Sequence, residues 1–215
     1  MNEQFELPVK MRDYDTVLIA CESLGNALQK LVPLARKMHL LSSNAVCSAA
    51  RAGSEGDAFR VLTQDIRYLS EDVSSCIGNT QLMMDKSVLL AANLVSVLSR
   101  SSFVGDNATT DEKKAQIQLI HEKNCELTRL LHQLDLELSP VEMLAKKGEY
   151  LAVFSSVEAA NSGEHRLSFE AVASMLKTLV KELNMQSKQQ KRLLSDLIES
   201  VEKRQFVLKI AVKAA

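Results

Sequence analysis

The sequence states one pattern twice. Leu34-Ala35-Arg36-Lys37 returns as Leu144-Ala145-Lys146-Lys147, an offset of 110 residues. The same offset places Ala49-Ala50 on Ala159-Ala160, Gly53 on Gly163, Phe59 on Phe169, Arg67 on Lys177 and Leu69 on Leu179. An internal repeat constrains architecture before any local propensity does. The chain is therefore read as two copies of one unit, joined head to tail.

Within each copy the apolar period is helical. Cys21, Leu24, Leu28, Leu31, Ala35, Met38, Ser42, Ala45, Ala49 and Ala52 recur at alternating spacings of three and four, a heptad seam. Asp13 or Asp15 is placed to cap its start, and Pro33, which lacks a backbone donor, predicts a kink. Gly53-Ser54-Glu55-Gly56 reads as a turn. A second seam follows through Phe59, Leu62, Ile66, Leu69, Val73, Cys76, Thr80, Met83, Ser87, Leu90, Leu94 and Val97. Helices of roughly 40 residues would each run about 60 Å, and a tight turn between them forces an antiparallel hairpin. The second copy repeats this through Leu131, Leu134, Leu138, Val141 and Ala145, then Phe169, Val172, Leu176, Leu179, Leu183, Leu193, Leu197 and Val201. Gln186 and Gln190 interrupt its second seam and predict looser packing there. Ser139 before Pro140 reads as a kink or as the cap of a restarted helix, and Thr109 with Glu112 as a capping box.

A lone hairpin leaves one apolar stripe per helix uncovered; two hairpins can bury their stripes together. The expected fold is all-α: an elongated antiparallel four-helix bundle made of two tandem coiled-coil hairpins. Hairpin one spans 12–100 with its tip near 53–56, a linker spans 101–109, and hairpin two spans 110–212 with its tip near 163–167. Covalent fusion makes the association intramolecular, a pseudo-dimer within a monomeric chain. Composition agrees, since aromatic content is only 4% with no Trp and 3 Pro, too little for most sheet proteins. A formal net charge of −1 supplies no global field for nucleic acid or acidic lipid. The absence of an apolar core in Met1–Lys10, and of any run of 18 uninterrupted apolar residues, predicts a cytoplasmic protein without membrane insertion. The four cysteines lack a C-x-x-C spacing and read as small buried hydrophobes.

The turns carry a resemblance. Leu41 to Gly53, with Asn44-Ala45 and Ala49-Ala50-Arg51-Ala52-Gly53, leads into Glu55-Gly56-Asp57-Ala58-Phe59-Arg60-Val61 and Ile66-Arg67-Tyr68-Leu69. Val157-Glu158-Ala159-Ala160-Asn161-Ser162-Gly163-Glu164 and Phe169-Glu170-Ala171-Val172-Ala173 echo it in the second copy. These segments resemble the cytoplasmic signalling tip of methyl-accepting chemotaxis proteins, over about thirty residues per copy. The resemblance implies a four-helix bundle whose tip contacts a chemotaxis histidine kinase and its coupling adaptor (CheA/CheW-like) or other chemoreceptors. It implies a protein-docking tip formed by Asn44, Arg51, Gly53, Glu55, Val61, Glu158, Asn161, Gly163 and Glu164. The copies depart from the family pattern in complementary ways. The family's glutamate is Ser48 in copy one and Glu158 in copy two; its arginine is Arg51 and then Asn161; its asparagine is Asn44 and then Phe154. A phenylalanine that packs between dimers in the family falls on Arg36 and Lys146, which argues against receptor-type trimers. No paired-glutamate methylation segment is present, so a methyl-accepting role is not expected.

Residues suited to chemistry are scattered. His121 and His132 lie about three helical turns, roughly 16 Å, apart, too far for one metal. His132 is the candidate for the one enzymatic alternative, histidine phosphotransfer. Gly53-x-x-Gly56 is not followed by the Lys-Ser/Thr of a phosphate loop. Lys188, Lys191 and Arg192 read as a solvated face rather than a nucleic-acid site, and the amphipathic tail Phe206 to Lys213 as a closure of the bundle. The expectation is a non-enzymatic signal-transduction protein without cofactor or metal. The alternative is a structural scaffold bundle that no longer contacts the kinase.

Overall fold

The heptad seams become helices. The computed structural model describes residues 11–103 and 109–214; Met1–Lys10 and the central part of the expected linker, 104–108, lie outside the described residues. Among the described residues there is no strand. The order is α1 (Met11–Gln29), α2 (Leu31–Arg51), α3 (Asp57–Phe103), α4 (Thr110–Leu138), α5 (Pro140–Asn161) and α6 (Arg166–Ala214). Short 3₁₀ turns at Gly53–Gly56 and Gly163–His165 join α2 to α3 and α5 to α6. The protein is an all-α bundle of four long helical runs, α1–α2, α3, α4–α5 and α6.

The chain divides into two compact units. One holds the described residues up to Asn26, together with Leu82–Asp135 and those from Arg192 on, and is called here the terminal unit. The other holds Ala27–Gln81 and Leu136–Lys191, including both 3₁₀ turns, and is called the turn unit. Each contains four helical segments, one from each run.

The repeat governs both cores. All ten residues of the first seam, Cys21 to Ala52, are buried, as are Leu131, Leu134, Leu138, Val141 and Ala145. In the second seam Leu62, Met83 and Val97 are partly exposed and the remainder buried. Two pairs of residues 110 positions apart meet across the core. In the terminal unit Tyr14 donates its hydroxyl proton to Asn124 Oδ1 at 2.6 Å. In the turn unit the rings of Phe59 and Phe169 stack with centroids 3.9 Å apart and planes 9° from parallel. The polar seam residues Thr80 and Ser87 donate to the carbonyls of Cys76 and Met83 one turn back, which removes the cost of burying their hydroxyls.

Both copies break where proline predicts. Helix α1 ends at Gln29, four residues before Pro33, whose ring opposes the carbonyl at that position and which has no N–H to offer it. Pro140 opens α5. The carbonyls beside the breaks are taken by side chains from the opposite copy. Gln190 Nε2 donates to the Ala27 oxygen at 2.9 Å, and Cys76 Sγ donates to the Glu137 oxygen at 2.8 Å. Ala27 and Glu137 are themselves repeat-related. Gln190 is therefore fully buried with its Nε2 bonded and its Oε1 left without a partner, while Gln186 is half-buried.

Other local expectations also change. Ser139 keeps helical dihedrals and makes no side-chain cap, because the chain bends without leaving the α region. Asp13 and Asp15 lie inside α1 rather than before it. The capping box is formed: Thr109 N donates to Glu112 Oε2 at 2.8 Å, and Glu112 N to Thr109 Oγ1 at 3.3 Å. Of the cysteines, Cys21 and Cys76 are buried, Cys125 is half-buried and Cys47 is exposed. Leu208 alone of the apolar tail residues is fully buried, while Phe206 and Ile210 face solvent. Helix α3 contains a window long and apolar enough to cross a membrane by length and composition, although no uninterrupted apolar run exists. In this fold its Met84, Leu90, Ala91, Leu94 and Leu98 are core residues.

Two measurements test this core. Phe59→Ala removes half of the ring stack and is expected to destabilise the protein by about 3–5 kcal/mol in denaturant unfolding. Burial pushes the Cys21 thiol up to about 12 from an ordinary 9.0, and holds the Tyr14 hydroxyl well above its ordinary range. Both groups keep their protons to higher pH folded than unfolded, so the stability linked to them is complete below about pH 9 and is lost as pH rises through the folded values. Cys21→Val, which resembles the apolar Leu131 of the other copy, is expected to flatten the alkaline loss of stability between about pH 9 and 12.

Candidate protein-docking site

The expected site residues all belong to the turn unit. Helix α2 closes with Arg51, and Ala52 donates its N–H to the Ser48 carbonyl at 3.3 Å. The chain then reverses at Gly53, whose φ of 55° is the left-handed region that an L side chain resists. The second copy reverses at Gly163 with φ 51°. There Ser162 donates its N–H to Ala159 O and its hydroxyl to Glu158 O, at 3.2 and 2.6 Å. Gly56 is required for a different reason: a Cβ there would lie 2.5 Å from the Ala49 carbonyl oxygen. Close approach of the turn to α2 depends on that missing carbon.

Side chains brace both turns. Arg60 Nη2 reaches the Gly53 carbonyl at 3.3 Å and Asp57 Oδ1 at 2.9 Å. Arg166 Nε pairs with Glu170 Oε1 at 2.7 Å. Beneath the turns the Phe59–Phe169 stack joins the copies, and Ser168 donates to the Ser48 hydroxyl at 3.0 Å. The Ser48 hydroxyl is thus bonded across to the other copy at the surface.

Asn44, Arg51, Gly53, Val61, Asn161, Gly163 and Glu164 are exposed, and Glu158 is half-buried. The side chain of Glu55 lies outside the described residues. Asn44 and Arg51 share one face of α2, two turns or about 10 Å apart, as do Phe154 and Asn161 on α5. Sequence reasoning missed what surrounds Phe154. Tyr150, Val153, Phe154 and Val157 are 57–69% exposed and line one outward face of α5. The repeat-related positions on α2 are Leu40, Ser43, Asn44 and Cys47, so only copy two carries a continuous apolar face there. The signal was present as a second helical stripe opposite the buried Leu144, Gly148, Leu151 and Ser155.

Among the described residues no cluster of histidine, cysteine or carboxylate side chains has the arrangement of a metal site. His132 is half-exposed, with Nε2 2.9 Å from Glu202 Oε1. His121 lies 3.7 Å from Cys125 Sγ. No protein-family model and no solved structure significantly matches the chain.

The turn geometry makes a stability prediction. Gly53→Ala places a Cβ in the left-handed region and is expected to cost about 1–2 kcal/mol. Gly53→Asn, which tolerates that region, is expected to cost less than Gly53→Ala. Gly56→Ala forces the turn away from α2 and is expected to lower the unfolding midpoint without requiring any change at Gly53.

Proposed function

We propose that the chain is a non-enzymatic signalling module, an intramolecular pseudo-dimer of two helical hairpins similar to the signalling domain of methyl-accepting chemotaxis proteins. It docks through the turn unit onto a chemotaxis histidine kinase, its coupling adaptor or neighbouring chemoreceptors, in the cytoplasm. The observation that carries this reading is the exposed apolar face of Tyr150, Val153, Phe154 and Val157, on the helix that leads into a turn. Large aromatic and aliphatic side chains held in water on a rigid helix are what a partner buries as anchors. Arg51, Glu158 and Glu164 near the turns add charges that set orientation. The mechanism is positional: helix packing presents the face, and a change in packing biases the partner.

A scaffold bundle without kinase contact is the second reading. It is favoured by Ser48, which pairs with Ser168 instead of presenting a carboxylate.

The two are separated by binding of purified kinase and adaptor to immobilised chain. Tyr150→Ser with Phe154→Ser is expected to weaken binding more than about tenfold while helix content is retained; Arg51→Ala with Glu158→Ala is expected to weaken it less. No binding by wild type would favour the scaffold; equal binding by wild type and both variants would put the contact elsewhere and overturn this docking face.

A further inference from the structure

The terminal unit carries two surface grooves of matched size, each about 600 Å³. One lies between α3 and α4, the other between α1 and α6. They occupy repeat-related positions, yet their charges are opposite. Lys86 and Lys123 edge the first groove, and the residues 110 positions away, Asp196 and Asp13, edge the second. Leu89, 65% exposed beside the first groove, is matched by Glu199 beside the second. Arg129 adds a third cation to the basic groove, where only Glu126 opposes. In the acidic groove Lys203 is held by Glu199 at 2.6 Å. Arg204 is turned inward to Ser200, to Thr16 and onto the Tyr14 ring.

A symmetric homodimer cannot carry such a pair, because its two equivalent faces are identical. A fused repeat can, since each copy is free to diverge. Reversal of charge at two repeat-related positions makes one face complementary to the other. We infer that the occupant of the basic α3–α4 groove is the acidic α1–α6 face of a second copy of this chain. Asp196 on α6 meets the lysine edge of Lys86 and Lys123 beside the apolar surface of Leu89, while Glu199 stays paired with Lys203. Two basic grooves repel each other, as do two acidic ones, so the contact is heterologous. Each copy then offers one unfilled face of each sign, and association continues into a ring or an open array. This interface uses none of the docking residues proposed above, so its failure leaves that reading intact.

Sedimentation velocity of the full chain over a range of concentrations tests it. Wild type is expected to associate at about 0.01 M salt and to dissociate at about 1 M, where screening is nearly complete. Lys86→Asp with Lys123→Asp makes both faces acidic, and Asp13→Lys with Asp196→Lys makes both basic. Each variant alone is expected to stay monomeric, and an equimolar mixture is expected to associate again. Circular dichroism verifies folding. If Asp13→Lys loosens the start of α1, Asp196→Lys with Glu199→Lys replaces it in the same mixing experiment. The inference is overturned if wild type is monomeric at low salt, if either variant associates like wild type, or if the mixture remains monomeric. Capture of heparin or polyglutamate by a wild type that does not self-associate would assign the grooves to another occupant and overturn it as well.

Discussion

The structure depends on residues 110 positions apart finding each other. Phe59 against Phe169 in the turn unit, and Tyr14 against Asn124 in the terminal unit, join the two copies within the core. In a homodimer each such position must be compatible with itself. Fusion lifts that requirement, and the Tyr14–Asn124 pair uses the freedom. Tyr14 donates to Asn124, and Asn124 in turn donates to the Val201 carbonyl at 3.3 Å. Two tyrosines could share one mutual hydrogen bond but would leave the second hydroxyl proton without a partner, at a cost of about 1–3 kcal/mol. Gly148 opposite the buried Val180 shows the same freedom, because its repeat mate is the much larger Met38.

The breaks in the two long helical runs follow the same logic. Both copies lose helical continuity near a proline, and both recruit a side chain from the other copy to satisfy a freed carbonyl. The carbonyls are equivalent while the donors, Gln190 and Cys76, are not. Burial of these donors is therefore explained by the partner's backbone. Each copy is structurally incomplete without the other.

Much of this was legible in the residues themselves. Apolar spacing identified the buried seams, the glycines marked both reversals, and Thr109 with Glu112 marked the start of α4. What escaped depended on partners that a single helix does not reveal. Gln190 read as a flaw because the Ala27 carbonyl it serves is distant in sequence. Ser139 before Pro140 read as either a kink or a cap, and its helical dihedrals and missing cap bond exclude the cap. The outward face of Tyr150, Val153, Phe154 and Val157 was hidden behind the stronger inward period of the same helix. The exchange of Lys86 and Lys123 for Asp196 and Asp13 was visible in the repeat, but it had no meaning until α3 lay beside α4 and α1 beside α6. For the docking reading, the glycine turns and an apolar anchor at Val61 or Val46, both exposed, were apparent early, whereas the larger apolar face around Phe154 required the fold.

The most direct test of the pseudo-dimer is nuclear Overhauser contact between the Phe59 and Phe169 rings, in a sample with labelled chains diluted into unlabelled ones. The account predicts a strong ring-to-ring contact within a single chain, consistent with centroids 3.9 Å apart. Loss of that contact on dilution, or rings that each touch only their own hairpin, would contradict it.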